Sequence, residues 1–382
     1  MTPVTRITRR QFLYTTAAAA LTTRTFAQPP SRLLLVGTQT QTGPSKGIYA
    51  YSFHERTLTP QGLATEADNP TFLALSADKR TILVANELNT YEGKDSGAVS
   101  TYSLERATNR LTKINEVPSR GAGPCHVAFD HTGRSAFAAN YAGGSAASFS
   151  VTLDGHLSPA VSFFQYTGSG PDAARQKSPH AHRVTVSPDN RFLLVNDLGL
   201  DCIHIYRLDP GTAQLSPSEP AAWHSTPGSG PRALQFHPNG RVAYCVTEMA
   251  SAVVVLRWNA KSGTLETIQQ VPMRPPDFQG TTGASDIVLD PHARFAYAAD
   301  RFDDIIVTFA ISPSDGTLTL LDRIPCGGKV PRHLTLDPTG QTLLVANQAS
   351  DNIATFARDT QTGQLLPSRT YPISRPQCLL FP

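Results

Sequence analysis

The sequence predicts an all-β chain: a seven-bladed β-propeller of four-stranded blades, its ring closed by strands from both ends. Three observations predict it. A strand–turn–strand pattern returns six times at near-constant spacing, and an unmatched half-copy stands at each terminus. The composition, 40% hydrophobic and 16% charged with 30 Pro and 27 Gly in 382 residues, suits many short strands joined by turns.

The six copies run Phe72 to Asn86, His126 to Asn140, Arg183 to Asp197, Ala233 to Glu248, Asp286 to Asp300 and His333 to Asn347. Their turns begin at Ser76, Asp130, Ser187, His237, Asp290 and Asp337, at intervals of 54, 57, 50, 53 and 47 residues, the length of one four-stranded blade. Most turns read Asp/Ser-Pro-x-Gly/Asn-Arg or a close variant: Pro restricts φ, and Gly or Asn tolerates positive φ. A tight hairpin follows. β-Rich runs such as Ile203 to Leu208 and Ile305 to Phe309, and Gly-x-Leu steps at Gly155, Gly263, Gly316 and Gly363, supply the third and fourth strands.

The ends provide the missing blade. Ser31 to Gly37 matches a second strand with no first strand before it, and Pro376 to Phe381 a first strand with no second after it. Pairing them closes the ring and removes exposed sheet edges. A β-sandwich would not explain the fixed interval.

Residues 1–27 read as a separate element, with the propeller occupying 28–382. Arg9-Arg10-Gln11-Phe12-Leu13, the weakly apolar run to Leu21 and the small-x-small ending Thr25-Phe26-Ala27 are similar to a twin-arginine export signal. Cleavage after Ala27 and a periplasmic product are expected; the apolar run is too short for a permanent membrane anchor.

Charge excludes one class of partner. Arg6, Arg9, Arg10 and Arg24 lie in the signal, so the remainder carries 29 basic against 30 acidic side chains despite a net +3 for the whole chain. No basic stripe for nucleic acid remains. Five widely spaced cysteines without a CxxC pair argue against zinc or a disulfide framework and for reduced, buried thiols. No cofactor or metal site is expected, and the protein is expected to be a monomer.

The repeat gathers polar side chains at one mouth. In each hairpin the start of the first strand and the end of the second stand at similar height, at about 3.3 Å per residue. Arg232 thus meets Glu248; His126 meets Asn140 and Tyr141; His182 meets Asp197; Asp286 meets Arg301; and Arg332 meets Asn347 and Gln348. Clustered ionisable groups either pair or line a wet pocket. The plainest pairing expected is Asp286 with Arg301.

At these residues the chain resembles the seven-bladed propeller lactonases, a family that includes bacterial 6-phosphogluconolactonases and fungal carboxymuconate-cyclising enzymes. The likeness runs from about Leu33 to the C-terminus, on Gly123-Pro-Cys-His126, His182 to Arg191, Gly230-Pro-Arg232, Phe236-His-Pro-Asn239, Tyr244 to Glu248, Ala284-Ser-Asp286, Asp300-Arg301 and Pro331-Arg332. It implies His182, Arg232, Glu248 and Arg301 as catalytic residues, although His180 stands two residues from His182 with the same strand parity. His126, Asn140, Tyr141, Asp197, Asp286, Arg332, Asn347 and Gln348 are the expected substrate-binding residues. The implied substrate is an anionic or sugar lactone. Glu248 or His182 would activate water while Arg232 and Arg301 hold an anionic substituent and the oxyanion, with Arg332 assisting. A cycloisomerase using the same pocket and a noncatalytic periplasmic binding propeller are the alternatives.

Overall fold

The computed structural model describes Ser31 to Pro382 together with Met1 and Pro3. All but those two residues of the export-signal reading lie outside the described residues. Among the described residues, no helix is long and apolar enough to cross a membrane.

Seven four-stranded antiparallel sheets follow one another along the chain. Blade 1 joins Pro376–Leu380 to Arg32–Thr38, then Gly47–His54 and Thr57–Glu66. The pairing of the two ends is antiparallel, Val36 standing opposite Leu379, so the closure expected from the unmatched half-copies is present. The innermost strands of blades 2 to 7 are Pro70–Leu75, Pro124–Phe129, Ala181–Val186, Pro231–Phe236, Ala284–Leu289 and Pro331–Leu336. Each touches the next, and Pro376–Leu380 touches both the first and the last of them, which completes the circle.

The second strands explain the apolar runs. Thr81–Asn86, Ser135–Asn140, Phe192–Asp197, Val242–Thr247, Phe295–Asp300 and Thr342–Asn347 are buried along their whole length, because a neighbouring blade covers each face. Between successive blades lies a separate apolar cluster. Tyr244, Val246 and Val255 of blade 5 meet Ala298, Val307 and Phe309 of blade 6. Leu344, Ala346 and Ile353 of blade 7 meet Leu34, Val36 and Phe53 of blade 1. Each fully buried side chain of this size contributes about 1.5–3 kcal/mol.

The hairpins are held from inside the turn. Asp130 Oδ1 accepts the amides of Arg134 and Ser135 at 2.8 and 2.9 Å, and Asp337 Oδ1 those of Gln341 and Thr342 at 2.8 and 2.7 Å. Positive φ falls where the pattern puts Gly or Asn, at Gly133, Asn190, Gly240 and Gly340. Lys79 and Ala293 take the same conformation without that advantage.

The Gly-x-Leu steps dock each blade on the one before it. Gly263 sits at φ +71°, and a Cβ there would run into the Phe192 ring. The step at Gly155 differs from the expectation: Leu157 makes only an isolated bridge to Val151, and the fourth strand of blade 3 is the short Ser162–Gln165. Pro159 intervenes, and it has no amide to donate to the ladder.

One irregularity decides what faces the channel. Every innermost strand of blades 2 to 7 slips register near its start: Pro70 opposes Asn86 but Phe72 opposes Ala85, and Ala181 opposes Asp197 but Arg183 opposes Asn196. The same slip recurs in blades 3, 5, 6 and 7, and near Thr38 in blade 1. Such a bulge adds a residue and bends the strand. Here it lets two consecutive side chains line one wall.

Candidate active site

The central pocket, about 330 Å³ when the space open to solvent is included, is lined by pairs of consecutive residues at these bulges: Thr71 and Phe72, Cys125 and His126, His182 and Arg183, Arg332 and His333. Arg232, Asp286 and Gln377 complete the wall. Above it stand residues that directly follow the second strands, among them Tyr141, Glu248, Arg301 and Gln348.

Glu248 is the centre of the upper tier. Its side chain is 2% exposed and three guanidiniums converge on it. Arg175 Nη2 donates to Oε1 at 2.5 Å, Arg301 Nη2 stands 2.8 Å from the same oxygen, and Arg232 Nε lies 2.9 Å from Oε2. The Arg232 contact is an ion pair without hydrogen-bond alignment, while its Nη1 donates to the Ser285 carbonyl. Burial alone would raise the carboxyl's pKa, but Arg301, Arg232 and Arg175 together bring it down to about 2. Arg232 is lowered too, to about 9, by burial and by Arg332 and Arg301, and remains charged at neutral pH.

His182 is one of three histidines that line the pocket, with His126 and His333. It is buried, and Tyr141 meets it edge-on with ring centroids 5.5 Å apart. Burial first, then Arg232, Arg332, Arg301 and Arg183, hold its pKa well below the usual histidine value, so the ring is neutral. His180 shares its sequence parity but not its place. The bulge separates them: His180 lies outside the pocket lining, stacked on Tyr141 at 4.5 Å, with its amide donating to Asp197 Oδ1.

A second charged group lies one residue deeper. Asp286 faces Arg183 Nη2 at 3.0 Å and His333 Nε2 at 3.8 Å, and its Oδ2 accepts the Leu334 amide at 3.0 Å. The expected partnership of Asp286 with Arg301 is therefore corrected: Arg301 turns to Glu248. His126 packs on Phe72 with centroids 4.0 Å apart and accepts the Val184 amide on Nδ1.

Three residues expected at the mouth point elsewhere. Asn140 donates to the Ser119 carbonyl and Ser145 Oγ, Asn347 to the Cys326 carbonyl and Asn352 Oδ1, and Asp197 accepts the amides of His180, Gly199 and Leu200. All three are fully buried last residues of second strands, and they brace loops. Of the residues that follow them, Tyr141 meets His182 edge-on, whereas Leu198 is fully buried. Gln348, the third, donates to Gln39 Oε1 at 3.3 Å across the closing seam.

Arg175, Arg183 and His333 were not singled out in the sequence. Arg175 belongs to loop 166–180, which Gln176 locks by donating to the Leu198 carbonyl at 2.8 Å and accepting the Asp172 amide. The longest turn-to-turn interval, 57 residues, was the signal for that insertion. Arg183 and His333 occupy the second position of a bulge, which strict alternation assigns to the opposite face.

All five cysteines are free and buried, and burial raises their thiol pKa values, to about 12 for Cys125, Cys245, Cys326 and Cys378. Among the described residues, no group of three or more His, Cys, Asp or Glu side chains is arranged to hold a metal ion.

The family described as "Lactonase, 7-bladed beta-propeller" matches residues 33–381. The chain belongs to this lactonase family. A Bacillus subtilis relative named 6-phosphogluconolactonase is 34% identical over 350 residues, covering 91% of this chain and 97% of the relative. A Formosa agariphila relative of the same name is 33% identical, covering 87% and 94%. Among solved structures, a periplasmic gluconolactonase of Pseudomonas aeruginosa superposes with a TM-score of 0.86 at 35% identity, covering 92% of this chain and 99% of its own.

Proposed function

We propose that this lactonase-family chain hydrolyses a sugar lactone in the central pocket, with His182 as the base and Arg232 and Arg301 as the groups that stabilise the oxyanion. The observation that carries the assignment is the contrast between Glu248, saturated by three guanidiniums, and His182, buried and neutral. A carboxylate with a pKa near 2 has little affinity for a proton, so Glu248 serves better as the anchor that aims the arginines. The neutral imidazole of His182 has a lone pair that no ion pair occupies, although burial and the arginines around it weaken it as a base.

In this reading His182 takes a proton from water as the water oxygen bonds to the lactone carbonyl carbon. The guanidiniums face the negative charge that gathers on the carbonyl oxygen. The carbon–ring oxygen bond then breaks, the ring oxygen recovers the proton from His182, and the product leaves as an open hydroxy acid. The relatives' names point to gluconolactones, with or without a 6-phosphate, as the first substrates to try.

The decisive assay presents purified mature protein with glucono-1,5-lactone, its 6-phosphate and carboxymuconates, following acid release and ultraviolet absorbance. Hydrolysis of either gluconolactone is expected. Turnover of muconates alone would make the pocket a cycloisomerase, and binding without turnover would make it a receptor. Metal independence, a monomeric state and periplasmic location by the twin-arginine route complete the proposal; the periplasmic relative supports export. Dialysis against EDTA is expected to leave the rate unchanged, and light scattering to give the mass of one chain.

A further inference from the structure

The central pocket is lined by three guanidiniums, and two of them are matched. Arg183 pairs with Asp286 and Arg232 with Glu248. Arg332, half-buried at the bulge of blade 7, has no ion pair and no side-chain hydrogen bond among the described residues, yet it lines the same pocket as His182. A guanidinium partly withdrawn from water without a counter-charge is costly, and its planar fork suits a phosphate or carboxylate.

We propose that Arg332 receives an oxyanion, a phosphate or a carboxylate group, beside His182, and that this anion activates the imidazole as a base. The surroundings of His182 give the reason. Arg183 on its own strand, Arg232 from blade 5, Arg301 from blade 6 and Arg332 from blade 7 all oppose its protonation. Tyr141 comes edge-on from blade 3, and the two nearby carboxylates, Glu248 and Asp286, are already held by cations. Arg175 adds charge above them, while His126 and His333, both depressed by burial, add none at neutral pH.

An anion on Arg332 offsets one of these positive charges. His182 is then a weak base in the empty pocket and a stronger one when the anion is in place. The charge on the substrate contributes to the chemical step as well as to binding, and a separate small anion could replace it for an uncharged lactone. An opposite charge within about 4–6 Å moves a pKa by about one unit or more, so about a tenfold gain in basicity is expected for an anion held in the same pocket.

The test uses the mature protein at constant ionic strength. Glucono-1,5-lactone hydrolysis is measured against added inorganic phosphate or acetate, with chloride as control. In parallel the His182 ring is titrated by nitrogen-15 NMR with and without each anion. A saturable acceleration of about three- to tenfold, a His182 midpoint raised by about one unit, and loss of both effects in Arg332→Gln are expected. A response to phosphate alone points to a phosphorylated substrate, and a response to acetate alone to a carboxylated one. The turnover arm rests on the lactonase reading; the NMR arm does not. If no lactone is hydrolysed but the midpoint rises, the anion site stands and the lactonase reading falls. If neither anion moves the midpoint, or both only inhibit, the proposal is overturned whatever the basal rate.

Discussion

Arg175 Nη2 lies 2.5 Å from Glu248 Oε1, although Arg175 belongs to the loop before blade 4 and Glu248 follows the second strand of blade 5. The loop is thereby fastened to the same carboxylate that orients Arg232 and Arg301. It adds a third guanidinium to that carboxylate.

Replacing Glu248 by Gln keeps the shape and removes the charge from three guanidiniums. Breaking a buried network from one side costs about 3–5 kcal/mol, which urea denaturation will register. Lactone hydrolysis is expected to fall at least about a hundredfold, while the acid limb of the rate profile persists, since the proposed mechanism assigns it to His182. Disappearance of that limb would return the role of base to Glu248.

Arg175→Ala should separate recruitment from stability. The side chain is 38% exposed, so its loss is expected to lower unfolding stability by less than about 1 kcal/mol. KM should rise about tenfold, with a smaller change in kcat, as uniform binding is removed. An unchanged KM would remove the loop from substrate capture.

Three pocket histidines, His126 and His182 buried and His333 half-buried, give the fold an acid weakness. His126, His182 and His333 are all depressed by burial, the first two well below 6.5. Below about pH 6.5 the unfolded chain binds protons that the folded chain refuses, so stability falls as pH falls. Each contributes a slope of up to about 1.4 kcal/mol per pH unit until its folded value is reached. Urea midpoints between pH 7.5 and 5 are expected to decline with at least two such contributions, and His126→Gln should flatten the slope by one.

The proposed export makes a prediction about the first residues. The mature protein should begin at Gln28, and Arg9→Lys with Arg10→Lys should retain the full-length chain in the cytoplasm. N-terminal sequencing and fractionation check both.

Blade number, closure and the polar mouth were legible because hairpin turns have strong local chemistry: Asp337, Pro338 and Gly340 mark a turn before any long-range contact is known. The Asp286 partner, the choice between His180 and His182, and the outward turn of Asn140, Asp197 and Asn347 were not legible. All depend on bulges or loop bracing, where one added residue reverses the face. Arg175 was hidden for another reason: it lies in an insertion that the repeat does not contain.

The first strand of blade 1 is made from Pro376–Leu380, residues synthesised long after the three strands they join. Until they arrive, the edge of Arg32–Thr38 lacks its partner, and the seams beside blades 2 and 7 lack Cys378 and Leu379. Ribosomes that stall or terminate early therefore release an open arc with sticky strand margins rather than a shorter working protein. Any cellular machinery that inspects such chains for foldedness is, in effect, checking that translation has passed Leu380.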